Sequence, residues 1–195
     1  MRFQVSRQAV ASLLALASVT SCSGNTPAHA NSVHGTVAPS QALILQLDEG
    51  ERRVRRTAGK GPFIIKVDRR NGGSPDLVMG YEDIAPGAEI QLHRHLVADE
   101  IIFVHRGAGV ATLGGREARV SAGATIYIPR NTTISLVNSG SEPLGIAFIF
   151  SKPGFEELMR DNSVLEGQPV TPMSAEERAQ IQARHRWHTI AGPKP

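Results

Sequence analysis

At 195 residues and a formal net charge of +3, the chain is long enough for one well-buried core and a single domain with tails. Two of its 21 basic residues, Arg2 and Arg7, lie in an N-terminal stretch that we expect to be removed, which leaves 19 basic against 18 acidic residues. A nearly neutral chain gives no electrostatic reason to expect nucleic-acid binding, and we expect no nucleic-acid partner.

Residues 1–21 have the composition of a secretory signal peptide. The two arginines precede an uncharged apolar run from Ala9 to Val19, and small residues follow it. The run has about half the roughly 20 residues that a membrane-spanning helix needs, which argues against a permanent transmembrane anchor. We therefore expect an exported, periplasmic protein.

Two cleavage sites are compatible with this signal. Residues 19–22, Val-Thr-Ser-Cys, resemble the lipobox of bacterial lipoproteins, in which Cys22 would be lipidated and become the first residue. Residues 28–30, Ala-His-Ala, would instead suit ordinary signal peptidase and release a protein that begins at Asn31. Contact with a membrane is expected only through a lipid anchor at Cys22. Residues 22–40 are small and polar, which is typical of a flexible tether.

Residues 41–151 contain about ten short apolar runs separated by Gly, Pro and Asn, without a helical period between them. This spacing predicts an antiparallel sandwich or barrel. Gly114 and Gly115 separate two of the runs and predict a two-residue hairpin turn.

Residues 152–195 predict a helical extension. Ser174 and Glu177 have the spacing of a capping box, which starts a helix that we expect to end near Arg186. Trp187 is expected to pin this helix to the barrel. His185 and His188 are interpreted as solvated histidines among arginines, although their spacing would allow them to chelate a metal.

The most informative stretch is residues 87–107, because it contains His93, His95 and Glu100. Residues two apart on a strand project to the same face, so the two histidines can share one ion. Glu100 lies five residues after His95, so residues 96–99 must form a tight connection to a second strand that pairs with the first and returns the carboxylate to the same interior. Two imidazoles and a carboxylate are the donor set of a three-ligand zinc or Fe(II) site. The alternative is that all three are surface groups on a hairpin.

The same stretch resembles the first signature of the cupins, G-x5-H-x-H-x4-E-x6-G. Every fixed place of that signature is filled, by Gly87, His93, His95, Glu100 and Gly107. The second cupin signature, G-x5-P-x-G-x2-H-x3-N, is matched at Gly123, Pro129 and Asn138. Asn131 replaces its second glycine, a mild change because Asn tolerates the left-handed backbone. Ile134 replaces its histidine, which is not a mild change.

The resemblance implies an all-β cupin double-stranded β-helix, or jelly-roll, barrel with short C-terminal helices. In metal-binding cupins the second-signature histidine is the fourth ligand, and Ile134 cannot coordinate a metal. Gln91, two residues before His93, is the nearest candidate for a fourth ligand or a substrate contact. Three outcomes stay open: an ion held by His93, His95 and Glu100 with extra water positions, a weakened site, or a metal-free polar pocket.

The run FIIKVD before the first signature and the run FIFSKPGFEELM after the second resemble the quercetin-dioxygenase-like group of single-domain bacterial cupins, and the resemblance covers roughly residues 60–160. That resemblance implies a dioxygenase or isomerase acting on a small organic molecule with Fe, Mn, Ni or Zn. The alternative is a non-catalytic cupin module of the cell envelope that binds a small molecule or a metal. Cupins of this build are often homodimers, and in such a dimer residues 42–47 could add a strand to the partner subunit.

Overall fold

The computed structural model describes residues 40–57 and 61–192. The expected signal peptide, most of the tether and Cys22 lie outside these described residues. In chain order the elements are β1 (Glu51–Arg55), β2 (Pro62–Val67), β3 (Val78–Ile84), β4 (Glu89–His95), β5 (Glu100–Arg106), β6 (Ala108–Leu113), β7 (Arg116–Ser121), β8 (Thr125–Ile128), β9 (Thr133–Val137), β10 (Leu144–Phe150), α1 (Phe155–Asp161), β11 (Ser163–Leu165), α2 (Ala175–His185) and β12 (Thr189–Ala191).

The strands form two antiparallel sheets. One has seven strands in the order β11-β1-β2-β3-β10-β5-β8, and the other has five in the order β12-β4-β9-β6-β7. Along β5 the side chains alternate between buried and exposed, because every second residue faces the other sheet. Ile102 and Ile146 of the first sheet pack with Ile134 and Leu136 of the second in one core cluster. The prediction of an all-β protein with short C-terminal helices is confirmed.

Two local turn predictions are also confirmed. Gly114 and Gly115 form the two-residue loop between β6 and β7, where Leu113 pairs with Arg116. Their φ angles of 56° and 82° fit a hairpin turn that requires left-handed backbone at both positions. Asn131 has a φ of 63°, so it adopts the conformation for which the cupin signature uses glycine.

The C-terminal extension contains the two expected helices together with two short strands. The hydroxyl of Ser174 accepts a hydrogen bond from the backbone N–H of Glu177 at 3.1 Å, which confirms the N-terminal cap of α2. Strand β11 pairs with β1 and β12 pairs with β4, so the extension adds an edge strand to each sheet. Within the described part of the chain, no helix is long and apolar enough to cross a membrane.

Two expectations about the surface are wrong. Trp187 is 55% exposed and does not pin α2, whereas Ile181 and His185 are the buried residues of that helix. The apolar segment at residues 42–47 forms no strand, and the strand lies instead in the arginine-rich stretch that follows it, as β1. Arginines of β1 are held by carboxylates from distant elements, such as Glu82 for Arg55 and Glu166 for Arg52, which is why so polar a stretch is ordered.

Candidate metal centre

The structure brings His93, His95 and Glu100 together at the interface of the two sheets. The histidines end β4 and the glutamate begins β5, and one candidate ligand atom from each lies within 4.8 Å of the others. The expected pairing of these two strands is wrong, because β4 belongs to the five-stranded sheet and β5 to the seven-stranded sheet. The connection at residues 96–99 therefore crosses between sheets, which turns the carboxylate towards the imidazoles from the opposite wall.

Hydrogen bonds to the outer ring nitrogens orient both histidines. Nδ1 of His93 lies 2.8 Å from the carbonyl oxygen of Gln91, which can only accept, so this nitrogen carries the hydrogen and Nε2 keeps its lone pair. Nδ1 of His95 lies 3.0 Å from Oγ1 of Thr189. A second shell of this kind fixes the tautomer and the ring plane of metal-binding histidines.

The Thr189 hydroxyl connects His95 to a third histidine. Oγ1 of Thr189 also lies 2.8 Å from Nδ1 of His188. When His95 donates to the hydroxyl and the hydroxyl donates to His188, both contacts are hydrogen bonds and Nε2 of His95 keeps a lone pair. Nε2 of His188 is buried and has no hydrogen-bond partner among the described residues. The backbone of the same segment is held to β4, because the N–H of Leu96 donates to the carbonyl of His188 at 2.7 Å.

When both imidazoles carry their hydrogens on Nδ1, the inner atoms of the cluster have no hydrogens to share. Nε2 of His93 and Nε2 of His95 face each other at 3.1 Å, and Oε2 of Glu100 lies 3.3 Å from Nε2 of His95. Despite that distance, the buried Oε2 makes no hydrogen bond. Three lone-pair donors converging on one point repel one another unless a cation lies between them, so the donor set fits a divalent metal ion.

Burial opposes charge on each of these groups. Desolvation lowers the pKa of His95 to about 4. Desolvation, followed by the neighbouring His95, also lowers the pKa of His93. Desolvation raises the pKa of Glu100 to about 7, although His93 opposes the shift. Neutral imidazoles are the form that binds metals, and a bound cation would offset the cost of burying the Glu100 carboxylate.

Ile134 occupies the place where the fourth cupin ligand was expected. It lies on β9 directly opposite His93 in the strand register and has no exposed surface. Its side chain belongs to the apolar core cluster, so the wall next to the two histidines is hydrocarbon. Within the described residues the cluster has three His, Asp, Glu or Cys ligands.

Gln91 lies on the rim of the centre. The pairing of β4 with β9 changes register from Ile90 to His93. This irregularity interrupts the alternation of side chains between the two faces of the strand, so Gln91 need not face the same way as His93. Ile90 packs against the core, while Gln91 is exposed and lines the cavity next to His93. A role for Gln91 as a ligand or substrate contact stays a prediction.

The C-terminal extension contributes to the site in a way that local sequence patterns did not predict. His188 has 1% exposed surface and stacks near the ring of Phe155, so its interpretation as a solvated histidine is wrong. His185 is also buried, with its Nε2 2.8 Å from Oδ2 of Asp161. The sequence signal was a pair of histidines at the end of α2 and just beyond it. It did not indicate that the adjacent Thr189 contacts His95, 94 residues earlier.

A cavity of about 720 Å³ opens on the centre. His93 and Glu100 contribute to its wall, and the remaining lining comes from both sheets, from α1 and α2, and from β12. Glu89, Gln91 and Ile102 line the cavity, whereas Ile134 and Leu136 belong to the apolar core cluster. A volume of this size is within the range of small-molecule sites.

Two antiparallel sheets around a His-His-Glu cluster and a cavity define a β-barrel protein with a candidate divalent metal centre. Comparison with known proteins agrees with this class, because residues 80–150 match the family described as Cupin domain. A predicted oxalate decarboxylase from Thermotoga maritima superposes with a TM-score of 0.50 at 19% identity, over 57% of this chain and 100% of that chain. Residues 80–150 of the chain are therefore similar to a cupin domain.

Two curated relatives are similar in sequence. An uncharacterized protein of Methanocaldococcus jannaschii is 36% identical over 86 residues, which are 44% of this chain and 66% of that protein. The dimethylsulfoniopropionate lyase DddW of Ruegeria pomeroyi is 31% identical over 102 residues, which are 52% of this chain and 66% of the lyase. The chain thus spans just under two thirds of the length of either relative.

Proposed function

We propose that the protein is a metal-dependent enzyme of the dioxygenase or isomerase type that acts on a small organic molecule. The observation that supports this most directly is the convergence of three lone-pair donors, one half-buried and two buried, on one point at the wall of the cavity. A divalent ion held there would polarise a substrate oxygen or activate dioxygen, and it would retain open positions because the protein supplies three ligands. That one relative is named as a lyase supports small-molecule chemistry in this family.

The residues around the centre have separate roles in this proposal. His93 and His95 hold the metal as neutral imidazoles, and Thr189 keeps His95 in the binding tautomer. Glu100 supplies the one negative charge of the ligand set. The apolar wall that includes Ile102 and Phe148 excludes water from the reacting end of the substrate.

The first test is the metal content of the exported protein. We expect close to one divalent ion per chain in the wild type, and loss of that ion in a His93→Ala, His95→Ala double variant. His105 is an exposed histidine of the neighbouring strand β5, so His105→Ala is the matched control and should retain the metal. Wild-type protein that takes up no metal would end the metal-dependent proposal.

The second test is oxygen uptake by the metal-loaded protein with catechols and flavonols, which the resemblance to quercetin-dioxygenase-like cupins suggests. Uptake that disappears in the double variant would support a dioxygenase. A fully loaded protein that is silent with every compound would favour the second candidate, a binding module of the cell envelope. The buried Ile134 in place of a fourth ligand supports that candidate, because it removes one of the usual metal contacts.

We further propose that the protein is exported and is tethered through a lipidated Cys22. The composition of residues 1–21 and the position of the sole cysteine support this proposal. The intact mass of the protein purified from membranes should include a diacylglyceryl group on Cys22. A mature N-terminus at Asn31 would show that the protein is released instead.

A further inference from the structure

Helix α2 presents a continuous stripe of side chains to the cavity. Arg178, Gln182 and Arg186 follow one another at four-residue intervals, and Ala179 and Ala183 lie beside them. Residues at this spacing share one face of a helix. The same face therefore carries two guanidinium groups and an amide, with small residues between them.

The two arginines of this stripe are not neutralised within the described part of the chain, where neither forms an ion pair. The other cavity arginine, Arg55, pairs with Glu82 and lies over the ring of Phe63. Asp83, also at the cavity wall, pairs with Arg106. Two of the cavity's carboxylates thus have arginine partners already, whereas Arg178 and Arg186 are available to a ligand.

Another part of the cavity wall is apolar. Phe148 of β10, Leu158 and Met159 of α1, and Met173 before α2 line the same cavity. The Cα atoms of Arg178 and Arg186 are separated by eight residues, or about 12 Å along the helix, and Ala179 and Ala183 leave the space between them open. A complementary ligand has an apolar body and an anionic end.

We infer that the cavity takes a small organic carboxylate, with its carboxylate bound by Arg178 and Arg186 and its apolar body directed towards His93 and Glu100. Arginine suits this role because its planar guanidinium matches the geometry of a carboxylate. The identification of this ligand as the substrate rests on the proposed function. Binding of a carboxylate by α2 can be measured independently of it.

The test uses calorimetry on the full mature chain with three probes, 3-phenylpropanoate, hexanoate and succinate, and with 3-phenylpropanol as the neutral match of the first. We expect an Arg178→Gln, Arg186→Gln variant to bind 3-phenylpropanoate about tenfold more weakly, a modest factor because both arginines are partly solvated. The alcohol should bind both proteins equally weakly. Higher ionic strength should weaken binding of the carboxylates alone.

The matched control is Arg184→Gln, because Arg184 lies on the same helix but outside the cavity and pairs with Asp161. It should bind all probes as the wild type does. The inference is overturned if the wild type binds none of the three carboxylates, or if the double arginine variant binds them with unchanged affinity. An alcohol that binds as tightly as its carboxylate would overturn it as well.

Repeating the titration with the His93→Ala, His95→Ala variant separates this inference from the proposed function. Carboxylate binding that persists there and is lost on changing the two arginines supports the α2 site even if wild-type protein takes up no metal. If the protein binds metal but its affinity for carboxylates is unchanged when both arginines are replaced, the metal centre is supported and the α2 site is rejected.

Discussion

When no metal ion is bound, the ionised carboxylate of Glu100 is the side chain of the metal centre whose burial costs the most free energy. It is 5% exposed, and burial raises its pKa from 4.5 to about 7. A carboxyl group whose pKa is higher in the folded state stabilises the fold at low pH, and that stability is lost as the pH rises from 4.5 through 7. His95 acts in the opposite direction, because its lowered pKa makes stability rise with pH between about 4 and 6.5.

We predict that Glu100→Gln stabilises the metal-free protein at pH 8 by about 3 kcal/mol, which is the order of magnitude implied by a pKa shift of roughly 2.5. The gain should shrink to nearly zero towards pH 4.5, where the wild-type carboxyl is protonated. Urea unfolding with a chelator at a series of pH values measures it. A gain in stability that is independent of pH would contradict the raised pKa of Glu100. At saturating metal the wild type should be more stable than Glu100→Gln.

Thr189 is predicted to control metal affinity without contacting the metal. Thr189→Val keeps the shape of the side chain but removes the hydroxyl that lies 3.0 Å from Nδ1 of His95. Loss of such a partner typically weakens metal binding about 10- to 100-fold. Competition titration with a metal-binding dye measures the affinity. Thr189→Ser retains the hydroxyl and should behave as the wild type, and equal affinity of Thr189→Val and wild type would rule out the positioning role.

The residues of the centre differ in how well they could be predicted. The cupin signature predicted His93, His95 and Glu100 together. Strand geometry predicted the two histidines, but the strand pairing assumed for Glu100 was wrong. The environment of Gln91 was not predicted, since a register irregularity between β4 and β9 depends on how the partner strand packs. Thr189 could not be predicted at all, because nothing local to either residue links it to His95.

At the scale of elements, α1 is fixed to the seven-stranded sheet by a buried ionic network. Arg160 of α1 lies 2.5 Å from Oδ2 of Asp68 and 2.5 Å from Oε2 of Glu51. Asp68 has no exposed surface, and its other oxygen accepts hydrogen bonds from the backbone of Arg70 and Asn71. The network holds the helix whose residues Leu158 and Met159 line the cavity.

We predict that Arg160→Leu destabilises the protein by about 3–5 kcal/mol, because it leaves the Asp68 carboxylate buried without a cation. Arg184→Leu removes an exposed pair with Asp161 and should cost about 1 kcal/mol or less. Chemical unfolding of both variants beside the wild type measures the difference. Equal costs for the two variants would show that the buried network does not stabilise the fold.

Elements that depend on local chemistry were predicted best. The Gly114-Gly115 turn and the Ser174 cap each require particular residues within four positions, so the sequence contains the whole signal. The pairing of β4 and β5 was predicted wrongly because sequential strands usually pair, whereas this connection crosses from one sheet to the other. β1 was missed because its arginines are ordered by carboxylates more than 25 residues away.

At the scale of the whole molecule, the C-terminal extension adds strands to both sheets of the barrel, and its helices line the cavity. β12 pairs with β4 in the register Thr189 to His95 and Ala191 to His93, so the strand that carries both histidines has a partner on each side. The face of α2 that carries Arg178, Gln182 and Arg186 forms one side of the cavity. The cupin signature predicted the barrel, while this arrangement depends on contacts across about 90 residues that have no sequence signature.

The segment before β1 leads to a prediction about assembly. The N–H of Gln41 bonds to the carbonyl of Gly72, and Leu43 packs beside Gly72. Beyond this point Ile44 is 90% exposed and Leu47 is 51% exposed, and no strand of the described residues pairs with them. Apolar side chains that are held in place yet solvated are typical of a surface that another chain covers, which agrees with the expected homodimer.

We therefore predict that the mature protein is a dimer and that Ile44→Glu dissociates it, because a charge in a buried contact would be desolvated without a partner. Sedimentation equilibrium over a range of concentrations measures the association. The matched control is Leu77→Glu, since Leu77 is an exposed apolar residue of similar size at 52% exposure outside this segment, and it should leave the dimer intact. A monomeric wild type would refute the dimer, and a dimer that survives Ile44→Glu but not Leu77→Glu would move the interface to the other surface.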